Sequence, residues 1–402
     1  MNKVKAVGLT LALSLMFLSV VAQPATANPG SRLDSLLAFM AENYDATVER
    51  GYSLVGTIAS RVEATFPAIF ILDNLGYLGQ RPPYPNGADN LVRTKNFTQK
   101  LQWDTGGEDS RRYGGMSPFI AGEPDIFATF YGVRLWQILN EHNDVPRMLD
   151  VEEINSTSLL FFVNKSQSVE GGFGLLETSS PDIVSTYMAL YIIDAMEGET
   201  PVYTFDEILL NRTKTVEWIL SCREGDAFKL NPASSIPGVT PTAAALLALE
   251  ILGEVTSLSS ELQDVRNWIL DRQVSEEDGG EFFGGFEEGY LTNDTNLVST
   301  CNALQALGVL SGVPTNTSSV ARFIADCQAA DGGWGIVPGL EVGTMELAAF
   351  AVESLDSLDS RSLLYEEDPN NPAGPLIDWR AILVVGFVVV AVVIALVALR
   401  ME

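Results

Sequence analysis

Histidine is nearly missing from this chain, with one residue, His142, in 402. Cysteine is scarce too: Cys222, Cys301 and Cys327 are too few for a disulfide framework. Basic residues are the third shortage, 24 Lys and Arg against 52 Asp and Glu, a formal net charge of −28. A field of that sign repels nucleic acid and anionic lipid surfaces, and favours cations or cationic partners. It also keeps a domain soluble on a crowded cell exterior.

What is present divides into one large domain and addressing segments. Residues 1–27 read as a secretory signal peptide: Lys3 and Lys5, an apolar run from Ala6 to Ala22, then Ala25-Thr-Ala27 before Asn28. Ala381 to Leu399 carries no charge. At about 1.5 Å per residue a helix of that length spans roughly 28 Å, enough for a bilayer core. With 400–402 as a cytoplasmic tail, the expected topology is a single-pass cell-membrane protein with its folded domain outside. Residues 363–380, acidic and proline-rich, are the expected stalk. Six Asn-x-Ser/Thr sequons, at Asn96, Asn155, Asn164, Asn211, Asn293 and Asn316, agree with export and possible glycosylation.

The interior is built from copies of one pattern. Cys327-Gln-Ala-Ala-Asp-Gly-Gly-Trp-Gly precedes the apolar run from Thr344 to Leu355, and Gln167-Ser-Val-Glu-Gly-Gly-Phe-Gly leads likewise into Asp182 to Met196. Phe162, Trp218, Trp268 and Phe323 stand five positions ahead of Gln167, Arg223, Gln273 and Gln328. Behind the loops come Asp182-Ile-Val-Ser-Thr, Thr242-Ala-Ala-Ala, Asn296-Leu-Val-Ser-Thr and Thr344-Met-Glu-Leu. Earlier copies are Gly114-Gly-Met with Asp125 to Thr129, and Gly51-Tyr-Ser with Glu63 to Thr65. A unit of about 50–60 residues, helix, glycine turn, helix, is therefore expected six times. The helix after each turn is almost wholly apolar, as in Ala243-Ala-Ala-Leu-Leu-Ala-Leu, which predicts a buried inner ring. The helix before it carries interspersed charges, as in Val265-Arg-Asn-Trp-Ile-Leu-Asp-Arg, which predicts an outer ring. Cys222 and Cys327, equivalent positions two copies apart, are then too distant to be bonded.

Gln-x-x-Asp-Gly-Gly-Trp-Gly loops joined to Asp-x-x-x-Thr helices resemble the repeats of protein prenyltransferase β-subunits and squalene/terpene cyclases, over about residues 31–362. The resemblance implies an all-α fold, an α/α toroid of six helix pairs in a closed ring within 28–362. Such a motif is specific for fold and weak for activity. In protein prenyltransferases it implies zinc, held by an Asp, a Cys two residues on, and a His three residues after another Asp. Here Phe127, Val184 and Val298 stand two places after Asp125, Asp182 and Asn296, and Ala128, Ser185 and Ser299 stand three places after. Zinc needs about four such ligands, so no metal is expected. The cyclases' Asp-x-Asp-Asp acid has its nearest match in Leu291-Thr-Asn-Asp294-Thr, where one carboxylate remains and no neighbour tunes it. The Gly-Cys-Gly-Glu-Gln of complement-like thioester domains is absent. No residue is singled out as catalytic, and no cofactor is implied.

Glu63, Asp125, Asp182, Asp294, Asn296 and Glu346 remain, at or near inner-helix starts, and are expected around one mouth of the barrel. Such residues cap free N–H groups and complement the helix dipole. The same groups would also line a mouth that binds a cation, an amine or a polyol, or supply acid–base pairs. Phe173, Phe286 and Trp334 follow glycine turns, either facing a ligand or packing as wedges. The leading expectation is an anchored exterior domain that binds an unknown surface partner or small ligand. The other is an atypical enzyme of the superfamily, using mouth carboxylates on an isoprenoid-like or glycan substrate.

Overall fold

The computed structural model describes residues 30–45, 51–57, 59–78, 88–104, 107, 110–142, 148–197, 199, 208–209, 211–275, 280–289 and 295–370. The expected signal peptide and the 381–399 segment lie outside them. No helix among the described residues is long and apolar enough to cross a membrane.

Those residues form twelve α-helices that alternate between two rings. The outer ones are α1 (Arg32–Glu42), α3 (Ala88–Lys100), α5 (Ser156–Lys165), α7 (Arg212–Ser221), α9 (Ser259–Leu270) and α11 (Thr317–Asp326). The inner ones are α2 (Val62–Asn74), α4 (Ile126–Glu141), α6 (Ile183–Glu197), α8 (Val239–Ile251), α10 (Leu297–Val309) and α12 (Met345–Ser357). Each inner helix packs on the next, and α12 returns to α2, so the ring closes. Burial follows the sequence pattern. On α9 the stripe Leu262, Val265, Trp268 and Ile269 is buried, whereas on α8 all but four of the residues from Val239 to Ile251 are.

Two devices repeat around the ring. A threonine in the first turn of five inner helices accepts the N–H of the residue after the glycine turn: Tyr52 to Thr65, Met116 to Thr129, Phe173 to Thr186, Phe228 to Thr242 and Phe286 to Thr300, at 2.9–3.0 Å. The loop glutamine clamps the start of the next outer helix. Gln102 bonds the Asn155 backbone, Gln273 the Asn316 carbonyl, and Gln167 the Thr215 hydroxyl. Gln328 donates to Arg32 O at 2.8 Å, joining the sixth pair to the first. Buried Arg32 returns the contact, donating to Ala325 O at 2.6 Å and Asp326 at 2.9 Å.

The ring extends past its expected end at residue 362. Leu364 and Asp368 are fully buried, and Asp368 accepts a hydrogen bond from Ser35 Oγ on α1. The start of the expected stalk is thus part of the toroid, because its acidic side chain finds a buried hydroxyl donor. Cys222 and Cys327, at the ends of α7 and α11, are buried free thiols, as is Cys301.

Candidate functional site

The inner-helix starts share one face, and their acidic residues divide into two groups there. Asp125 caps α4, accepting Ala128 N–H at 2.7 Å. Asp182 accepts Ser185 N–H at 2.8 Å and Ser185 Oγ at 2.6 Å, and Asn296 caps α10 through Ser299 N–H. Asp294 lies outside the described residues. Glu63 pairs with Arg61 at 2.9 Å through one oxygen, while its other oxygen is buried with no hydrogen-bond partner. Glu346 accepts the Tyr131 hydroxyl at 2.5 Å.

The Glu63 charge, on α2, reaches both Asp125 at the start of α4 and Glu346 on α12. Burial raises the Asp125 carboxyl above its ordinary range, the Ala128 N–H pulls it back, and the Glu63 charge raises it further. Burial likewise raises Glu346, against the Tyr131 bond and with the Glu63 charge. The expected ring of mouth residues is therefore an arc on one side, while Asp182 and Asn296 serve their own helices. Among the described residues no three His, Cys, Asp or Glu side chains are placed to share a metal ion.

Below the arc, a cation and aromatic rings crowd one side of the lumen. Arg134, two turns into α4, holds its guanidinium 4.6 Å from the centre of the Phe66 ring, 5.5 Å from Phe130, 5.7 Å from Phe70 and 5.9 Å from Tyr191. It is the one Lys or Arg on the six inner helices. Phe66 stacks on Tyr131 at 5.2 Å, and Phe130 meets Tyr187 and Tyr191 edge-on. Burial raises Glu353 opposite, against the attraction of Arg134 and a hydrogen bond from Gln305. The space left among Phe66, Phe70, Tyr131, Arg134, Phe350 and Glu353 is about 10 Å³. That is scarcely one water. A larger hollow of about 650 Å³, between Trp136, Asn140, Glu153 and Met196, opens at the other end of α4 and α6.

Three expected aromatics are not at the mouth. Phe173, Phe286 and Trp334 are fully buried, and Trp334 Nε1 donates to Ile324 O at 2.9 Å. They are wedges between helices, a correction to the ligand-facing alternative. Glu288 was missed. It accepts from Thr240 N, Thr240 Oγ1 and Ser299 Oγ at 2.7–3.0 Å, supplying the start of α8 where Gly238 has no side chain to cap it. The absence of a capping residue in the fourth copy was the available clue. Arg134 was also missed, although a lone arginine in an apolar inner helix stands out. Of the sequons, Asn155, Asn211 and Asn316 cap outer helices, Asn164 donates to Ile208 O, and Asn96 is exposed on α3. Asn293 lies outside the described residues.

The raised carboxyls set a pH dependence. Folding favours the neutral form of Asp125, Glu346 and Glu353, so their contribution is complete below the unfolded carboxyl range near about 4 and is lost as pH rises through the folded values. Melting temperature should therefore climb as pH falls from about 7.5 to about 5, opposite to ordinary acid lability. The variant Asp125→Asn, Glu346→Gln, Glu353→Gln should flatten that slope. A parent melting temperature that is level or falling over this window would refute the assignment.

A closed ring of six helix pairs with acidic helix starts and no exposed thiol or imidazole cluster among the described residues defines an all-α toroid. Residues 38–284 and 244–362 match the prenyltransferase alpha-alpha toroid domain, and the chain belongs to that family. Among solved structures it is similar to Candida albicans protein geranylgeranyltransferase-I complexed with GGPP, at 16% identity and TM-score 0.54, over 77% of this chain and 87% of that one. Cellobiose 2-epimerase from Spirochaeta thermophila gives 13% and 0.52, over 81% and 94%. A type II terpene cyclase from Scytonema gives 12% and 0.49, over 83% and 98%. Identities this low establish the fold alone. No curated protein sequence matches the chain significantly.

Proposed function

We propose that this protein is a membrane-anchored exterior toroid that binds a ligand or partner at its mouth and does not process isoprenoids. The crowding around Arg134 carries the reading. An isoprenoid chain needs an apolar cavity of several hundred cubic ångströms, and Arg134 with its surrounding rings leaves about 10 Å³ between α2, α4 and α12. The positions that resemble a prenyltransferase zinc set hold Phe127, Val184 and Val298, none of them a ligand. An acidic mouth would also repel a diphosphate.

The arc of Glu63, Asp125 and Glu346 suits a cationic amine or a hydroxyl-rich ligand, which would satisfy the unpartnered Glu63 oxygen. A second reading rests on the same arc: raised carboxyls beside Tyr131 could transfer protons to a glycan.

Titration calorimetry of the full chain with spermidine and with a panel of oligosaccharides tests both. Binding should occur with one class and fall at least about tenfold in Glu346→Gln, the loss expected when a charged partner is removed. Asp125→Asn should keep stability within about 1 kcal/mol, because Asn caps nearly as well. Transfer or cyclisation of a prenyl diphosphate by the purified chain would defeat the proposal, and sugar turnover would favour the second reading.

A further inference from the structure

One position recurs on the mouth face, and in four of six copies it is an exposed leucine or isoleucine. It is the second residue after each turn aromatic or its equivalent: Leu54, Pro118, Leu175, Leu230, Glu288 and Ile336. In five copies its carbonyl bonds the first N–H of an inner helix: Pro118 to Val62, Leu175 to Ile126, Leu230 to Ile183, Glu288 to Val239 and Ile336 to Leu297, at 2.8–3.1 Å. The backbone is thereby fixed at the inner-helix starts. Yet the side chains of Leu54, Leu175, Leu230 and Ile336 stay 39%, 39%, 44% and 47% exposed, and Phe119, beside Pro118, is 41% exposed. Pro118 and Glu288 are half-buried. Single exposed apolar residues are ordinary on any surface. The same position left apolar and exposed in four of six copies, on one face, marks a surface for docking.

The end of the described chain indicates what covers it. Asn370 Nδ2 donates to Gln328 O at 2.8 Å. Gln328 pairs with Trp334, and Trp334 with Thr344, the cap of α12. The chain thus leaves the toroid at the rim end. Ten residues, 371–380, then precede the uncharged run 381–399, a tether reaching at most about 35 Å. A span begun there would hold this face toward the bilayer, and the opposite end away from it.

Resting on the membrane-anchor reading above, we infer that the rim of Leu54, Phe119, Leu175, Leu230 and Ile336 docks on the surface of the lipid bilayer. The docking is apolar. A chain of net charge −28 gains nothing from anionic headgroups, so a zwitterionic surface is the one that fits. Side chains of this kind insert at the boundary between headgroups and acyl chains. The mouth and its carboxylate arc then open toward the membrane surface, where a ligand would be an amine or hydroxyl-bearing headgroup or a molecule confined beside it.

The test uses the full chain in phosphatidylcholine vesicles, with single added cysteines labelled by an environment-sensitive fluorophore. Leu175→Cys and Ile336→Cys report the rim, and Val313→Cys reports the turn after α10, at the other end. The three native thiols are buried and stay unlabelled. The rim labels should be quenched by brominated acyl chains and lose quenching by aqueous iodide, while the label at 313 behaves in the reverse way. Rim labels as open to iodide as the one at 313, on protein that floats with the vesicles, overturn the docking and leave the anchor standing. Protection in detergent that grows with protein concentration means that a second copy covers the face, and also overturns it. Protein that fails to float with the vesicles overturns the anchor reading itself.

Discussion

Replacing Gly332 with alanine should cost more than about 4 kcal/mol, in the range reserved for specific structural damage, and leave little folded protein. Gly332 has φ +91°, a region side chains rarely adopt. A Cβ there would lie 2.2 Å from Ser35 O, on the backbone of α1. Neither partner can yield. The glycine turn of the sixth pair is held to α1 by the Gln328 bond to Arg32, so the clash falls on the seam that closes the ring. Gly339 is the control, with φ +79° and nothing within 4 Å of its added Cβ. Gly339→Ala should cost about 1–2 kcal/mol, the left-handed penalty alone. Urea denaturation of both variants separates steric closure from backbone preference. Equal losses would show that the seam is not close-packed.

Arg134→Ala should lose about 1–3 kcal/mol at neutral pH, the cost of removing a cation from facing aromatic rings and from the field of a half-buried carboxylate. Its guanidinium faces four aromatic rings and balances Glu353, whose carboxyl burial already holds high. Without the cation, Glu353 must protonate or admit water. The loss should therefore shrink as pH falls, because neutral Glu353 no longer needs a partner. The emptied space among Phe66, Phe70, Phe130 and Tyr191 should also bind a small apolar ligand such as benzene more tightly than the parent does. Thermal unfolding at two pH values, with and without benzene, measures both effects. A loss independent of pH would mean that Arg134 acts only by filling volume.

The repeat was legible in the residues because it is local. Capping joins a side chain to the N–H three residues on, as at Asp125, Asp182, Asn296, Asn155 and Asn316, so spacing alone reveals it. The inner and outer rings follow from helical period, and the count of six units from the repeat. A glycine turn likewise declares itself, and the buried wedges Phe173, Phe286 and Trp334 come with it.

What only the tertiary structure decided is which of those residues meet. Asp125 and Asp182 look alike in sequence, yet one lies in the field of Glu63 while the other bonds Ser185. Glu288 serves a helix nearly fifty residues upstream, a reach no spacing rule describes. The crowding around Arg134 is collective in the same way: Phe66, Phe130, Tyr191 and Phe350 come from α2, α4, α6 and α12, and each looks like ordinary core on its own helix. The exposed rim is the converse case. Leu175, Leu230 and Ile336 read as core by composition, but their backbones are committed to capping neighbouring helices, which leaves their side chains outside. A local pattern specifies hydrogen bonds within a few residues. Convergence, closure and exposure depend on how each helix is turned about the ring axis, and packing against both neighbours sets that rotation.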